Sequence, residues 1–291
     1  MARKSTAHLS FKLYSTSHHP HNAFFQTNLP SPDERVEKQF SEWKNCIMNN
    51  ISIYEYDVRG LWSHLWKGVR HCEKLPFMDA LAIESFSNSD EAKRHIPSLQ
   101  NEPSIIVTLG IGHDTAAEEA LLKVLPMDSK FYGADPIHEI NEELYMKFGK
   151  FFPFAVGGKS EVSRASVLAN GSYVDRDVVH IEFVHFLSLL RHKVYDDIWI
   201  DAEGAEYELF PYFYRGGELD RNGITVCQFN IEVHSPDDPK KEMFREFIFT
   251  MLHNNRYAFF RIVQASHIRL YFLNFSDSHC VSKYIFRQST S

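Results

Sequence analysis

The chain has 291 residues, 44% hydrophobic and 14% aromatic, enough for one large domain or a domain plus an extension, and too apolar for wholesale disorder. Its formal net charge of −7, with the basic residues scattered, argues against a dedicated nucleic-acid binder. No apolar stretch approaches the roughly 20 residues of a membrane helix, and none follows Arg3 and Lys4, so neither a membrane span nor a signal peptide is read and a cytoplasmic location is expected.

Residues 1–30 are polar and read as a loop-rich or disordered tail. A helix is expected to begin at Ser31-Pro32-Asp33-Glu34, with Ser31 as N-cap, Pro32 at the first helical position and Glu34 completing a capping box. Val36, Phe40, Trp43 and Ile47 then repeat along one helical face. Aromatic and charged residues mix without a clear period up to residue 100, so residues 31–100 read as a mainly helical or irregular N-terminal extension.

Residues 101–291 carry a sharper pattern. Ile105 to Leu109 reads as a strand, Gly110-Ile111-Gly112 as a tight loop, and Ala116 to Leu125 as a helix with Thr115 and Glu118 in a capping box. Phe131 to Ala134 forms a second strand stopping at Asp135-Pro136, and Phe152 to Val156 a third. A short segment around 178–183 and an apolar helix near 184–192 precede a strand at 197–200. Thr225 to Val233 is a fifth strand, and a helix at 239–253 follows. The strands 257–263 and 268–275 lie too close for a helical crossover and should pair antiparallel at the sheet edge. The alternation predicts an α/β fold with a mostly parallel sheet.

The four cysteines, Cys46, Cys72, Cys227 and Cys280, show no Cys-x-x-Cys spacing. Reduced, partly buried thiols are expected, with a Cys46–Cys72 bridge as the alternative in a secretory compartment. The sixteen histidines are dispersed, and no metal site is read from them.

Three features carry chemistry. Asp201, Glu203 and Glu206 crowd one strand end, which costs free energy unless they meet a cation or hydrogen-bond donors in a crevice. Gly110 and Gly112 open a helix where backbone can approach a ligand closely. Asp135 ends the next strand, at about the separation (roughly 20 residues) where an acid holds the hydroxyls of an adenosine ribose. Asp114 opposes a pyrophosphate, whereas a sulfonium with an ammonium group suits Asp114, Asp201 and Glu203. The bland alternatives are a plain turn, a surface aspartate and helix-capping carboxylates.

With these residues, 104–234 resembles the FkbM-type family of class I S-adenosylmethionine-dependent methyltransferases, in a nematode-like branch. The signature is Asp201-Ala202-Glu203-Gly204-Ala205-Glu206, supported by Asp135-Pro136, Ala155-Val156-Gly157 and Ile231-Glu232. The resemblance implies a Rossmann-like class I methyltransferase fold and S-adenosylmethionine as cofactor, bound by Gly110, Gly112, Asp114, Asp135 and Asp201. It also implies O-methylation of a hydroxyl on a small molecule or sugar, with Asp201, then Glu203, then His234 as candidate bases. The chain departs from the class at Thr108, where an acid usually opens the glycine loop, and at Asp114, where a third glycine usually stands. Two other readings are kept: an inactive binding protein of the same fold, and a metal-dependent glycosyltransferase using Asp201 and Glu203.

Overall fold

Val36, Phe40, Trp43, Ile47 and Ile51 form the buried stripe of helix α1 (Glu34–Ile51), and the ring of Trp43 meets Phe259 edge-on at 5.0 Å. Helix α2 (Val58–Cys72), capped by Asp57 through the N–H of Gly60, packs beside it. The computed structural model describes residues 34–169, 171–234 and 236–286, so the tail 1–30 and the capping box at Ser31 lie outside the described residues.

After α2 the chain forms a hairpin absent from the sequence reading, β1 (Glu84–Ser87) and β2 (Ala92–His95). Then come β3 (Ile105–Leu109), α3 (Ala116–Leu122), β4 (Lys130–Ala134) and α4 (Asn141–Tyr145). The expected third strand is two: β5 (Lys150–Phe152) joins the main sheet and β6 (Ala155–Gly157) a separate small one. Pro153 lies between them and has no N–H to continue a ladder. Next is a long antiparallel hairpin, β7 (Glu161–Ala169) and β8 (Ser172–Glu182), where only a short segment at 178–183 was expected. Its exposed residues mix polar side chains with apolar ones such as Val162, Tyr173 and Val179, which masked the strand pattern.

Helix α5 (Phe183–Leu190), β9 (Val194–Ile200), α6 (Glu206–Leu209), α7 (Glu218–Arg221) and β10 (Thr225–Val233) follow. Helix α8 (Asp238–Asn254), β11 (Tyr257–Gln264) and β12 (Ile268–Asn274) complete the main elements.

The seven-stranded sheet runs β11-β12-β10-β9-β3-β4-β5. From β10 to β5 every pairing is parallel, and only β12 runs against its neighbours, giving the expected antiparallel edge hairpin. Five strands thus follow the order of a doubly wound, Rossmann-like sheet, in which the chain reverses direction of growth at β3 and β9. Ligands in such sheets sit beyond the carboxyl ends of the strands flanking that point. The α1 and α2 side chains share one core cluster with the sheet.

Cys46–Cys72 and Cys227–Cys280 are disulfides, and no described cysteine is free. This corrects the expectation of reduced thiols: the fold brings together pairs separated by 26 and 53 residues, a proximity that spacing alone does not reveal. No helix among the described residues is long and apolar enough to cross a membrane.

Candidate active site

The ends of β3, β4 and β9 open into a cleft of about 700 Å³, open solvent included. Gly110, Gly112, Asp135, Asp201 and Glu203 all line it, and the β7–β8 hairpin contributes a wall through Ala165–Leu168, Tyr173 and His180. Residues from three separate strand ends therefore share one cavity.

Gly110 occupies a position no other residue fits. Its φ is +83°, and an added Cβ would lie 1.9 Å from the carbonyl oxygen of Asp201. Asp135 braces the loop: one carboxylate oxygen accepts from the N–H of Ile111 at 2.8 Å and of Gly112 at 3.4 Å, the other from Ile137 at 2.8 Å. Burial pushes its pKa up, against the pull of these N–H groups. Asn141 of α4 closes the arrangement by accepting from the N–H of His113.

Asp114 does not line the cleft. Its carboxylate accepts from the N–H groups of Ser89 and Ala116 at 2.8 and 2.9 Å, so it ties the β1–β2 turn to the start of α3. Burial works against its charge, but these backbone donors prevail and hold its pKa low. The capping box also differs from expectation. Thr115 makes no side-chain cap bond, and Glu118 turns inward to accept from the Thr108 hydroxyl at 2.9 Å. A carboxylate from α3 thus stands beside Thr108, in the region where the class usually has an acid. Burial raises the Glu118 pKa to about 7.

His234, just past β10, faces the acidic strand end. Its Nε2 lies 3.4 Å from Asp201 and 3.3 Å from Glu203, and its Nδ1 3.2 Å from Glu206. Burial disfavours its charge, but the bond to Glu206 and the charges of Asp201 and Glu203 prevail, raising its pKa to about 9. The raised pKa favours the charged form, so His234 faces these carboxylates as a counter-charge, and its place as third candidate base stays an expectation. Glu206 is fully buried, accepting from the N–H groups of Gly204 and His234 at 2.7 and 2.8 Å, and acts as a clamp on the turn.

Reading the sequence missed Lys93. It comes from β2, is only 7% exposed, and pairs with Glu91. Burial opposes its charge, but Glu91 and Asp201 hold its pKa above normal. The carboxylates of Glu91, Asp201 and Glu232 approach within 4.8 Å of one another beside it. Burial drives the Asp201 pKa up, Lys93 and His234 pull it down, and Glu232 and Glu91 push it further up, leaving it near 7. The signal was present in Ser87-Asn88-Ser89-Asp90, a run of turn-forming residues between two short segments.

His234 sets a measurable pH dependence. Its folded pKa of about 9 exceeds the ordinary 6.5, so its contribution is complete below pH 6.5 and is lost as pH rises through 9. The loss should be about 3 kcal/mol at most. Urea melts between pH 6.5 and 9.5 should show this decline in the wild type and a much flatter profile in His234→Gln; parallel profiles would contradict the assignment.

The sequence pattern of the methyltransferase FkbM domain matches residues 46–272. An uncharacterized protein of Caenorhabditis elegans is 22% identical over 261 residues, covering 88% of this chain and 83% of its own length. Among solved structures, the chain is similar to a SAM-dependent methyltransferase from Aquifex aeolicus, with 11% identity, 60% of this chain and 86% of that one covered, and a TM-score of 0.29. The N-terminal domain of human METTL16 in complex with SAH is also similar, at 11% identity, 90% and 100% coverage, and a TM-score of 0.33.

Proposed function

Since the chain belongs to the FkbM-domain methyltransferase family, we propose that it binds S-adenosylmethionine in the cleft at β3, β4 and β9 and methylates a hydroxyl of a small molecule or glycan. The observation that carries this reading is the convergence of Gly110, Asp135, Asp201 and Glu203 on one cavity.

The residues present suit that cofactor. The open side of Gly112, where an added Cβ would meet nothing within 4 Å, leaves room beside the loop. Asp135 would take the ribose hydroxyls on lone pairs that its three backbone donors leave free. Asp201 and Glu203 present negative charge to the sulfonium and ammonium, and Asp201 Oδ1, 3.4 Å from His234 Nε2, makes no hydrogen bond among the described residues. When bound, S-adenosylmethionine would supply an electrophilic methyl carbon on a positive sulfur, for transfer to the acceptor oxygen with S-adenosylhomocysteine as the leaving group.

The acceptor must also give up a proton, and Asp201 is the base we assign. A carboxylate with a pKa near 7 matches the ambient pH, which favours proton transfer in either direction. Protonated His234, 3.4 Å away, offsets the negative charge beside it. Glu203 at the same cleft is the second choice. The glycosyltransferase reading is weaker, because Lys93 and His234 already place cations among the carboxylates a metal would use.

Isothermal titration with S-adenosylmethionine and S-adenosylhomocysteine tests the reading. Micromolar binding is expected for the wild type, weakened at least about tenfold, or about 1.4 kcal/mol, in Asp135→Ala. Wild-type protein that is folded yet takes up neither ligand would favour a binding module that has lost the cofactor.

A further inference from the structure

Between the β1–β2 hairpin and the edge of the main sheet lies a second, smaller depression of about 290 Å³, open solvent included, which shares no lining residue with the cleft. Lys93, Arg94, Arg261 and Arg269 line it, against only two acids, Glu91 and Glu232. Both acids are engaged. Lys93 pairs with Glu91, while Arg269 lies 2.6 Å from Glu232 and 3.4 Å from Glu91.

Arg94 and Arg261 are left with little counter-charge. Arg261 reaches Glu73 only at 3.8 Å through its guanidinium, although its backbone N–H also donates to that carboxylate. Arg94 donates to the Ser85 hydroxyl, yet its Nε is buried and has no hydrogen-bond partner among the described residues. Burial, and then the charge of Arg261, lower the basicity of Arg94, with Glu73 opposing them as the one acid that acts on both arginines. Two like charges are thus held together in a chain whose net charge is −7.

The backbone supports the same reading. Arg261 has φ +55°, a left-handed conformation uncommon for a residue with a side chain, at a register shift between Phe260 and Val263. Such irregularities re-aim side chains and recur at functional sites. Here the irregularity brings the Arg261 side chain into the depression that Arg94 also lines.

We propose that Arg94 and Arg261 hold a tetrahedral oxyanion between them, a phosphate or sulfate that is free or carried on a larger ligand. A guanidinium offers parallel N–H donors matched to two oxygens of such a group, and charge-assisted bonds of this kind are the strong ones. An anion here would relieve the repulsion between the two arginines. The proposal does not depend on the methyltransferase reading.

Thermal melts of the full chain in dilute chloride buffer provide the test, with sodium sulfate or phosphate added at an ionic strength matched by sodium chloride. The wild type should show a saturable rise of several degrees with either oxyanion and none with chloride. Glucose 6-phosphate distinguishes the sources: tenfold tighter binding than inorganic phosphate indicates a ligand-borne group, and equal binding a free ion. Arg94→Gln and Arg261→Gln should each abolish the rise, while melting in chloride at or above the wild-type temperature because a like charge has been removed. S-adenosylhomocysteine titrations on the same variants should be unchanged, so failure here and failure of the methyltransferase reading are told apart. Equal responses to sulfate and chloride, a response kept by both variants, or variants that are markedly less stable in chloride would overturn the proposal.

Discussion

Gly110→Ala should cost at least about 3 kcal/mol of stability and remove measurable S-adenosylhomocysteine binding. Two penalties combine. The residue sits at φ +83°, where a side chain costs about 1–2 kcal/mol, and the new Cβ would stand 1.9 Å from the Asp201 carbonyl. That carbonyl belongs to backbone, so relief requires β3 and β9 to part where the Asp201 N–H donates to Leu109 at 2.8 Å. Gly112→Ala is the internal control: φ is +62° but nothing lies within 4 Å, so only the conformational cost of about 1–2 kcal/mol should appear. Urea denaturation of both variants checks the contrast. Similar losses at the two positions would mean that the contact with Asp201 yields easily.

Removing the disulfides should have an effect of comparable size. They close loops with sequence separations of 26 and 53 residues, and the chain-entropy relation assigns each about 3.5–4 kcal/mol. One ties α1 to α2, and the other ties β10 to the turn after β12, so each fastens a peripheral element to its neighbour. Urea melts of the Cys46→Ala/Cys72→Ala and Cys227→Ala/Cys280→Ala pairs, compared with wild type before and after reduction, give the measurement. Losses below about 1 kcal/mol for both pairs would show that the cross-links add little. Bridges of this kind persist in oxidising compartments, so they weigh against the cytoplasmic expectation.

Much of the sheet was legible because its strands are short apolar runs ending in glycine or acid. Ile105–Leu109, Thr225–Val233 and the acidic stop at Asp201 could be placed from such local patterns. The cleft residues Gly110, Asp135 and Asp201 could be named because backbone approach and carboxylate crowding leave marks in the sequence. What was missed depends on contacts remote in sequence. The capping-box pattern misassigned Glu118, since the packing of α3 on β3 gives its carboxylate the Thr108 hydroxyl instead. Lys93 was passed over because an isolated lysine in a charged stretch ordinarily lies in solvent. The β7–β8 hairpin escaped notice because its exposed residues include polar and apolar types, leaving no clean alternation.

The β1–β2 hairpin has a consequence for how the molecule can be divided. The parallel strands satisfy one another's backbone groups, but they do not balance their own charge: the ammonium amid Glu91, Asp201 and Glu232 arrives on a separate excursion of the chain. A protein trimmed to begin at Ile105 would lose Lys93 and its partner Glu91 together, leaving Asp201 to His234 and Glu232 to Arg269. Docking of the β1–β2 hairpin and the ionisation of Asp201 are therefore thermodynamically linked, so this hairpin belongs to the electrostatics of the cleft as much as to the scaffold.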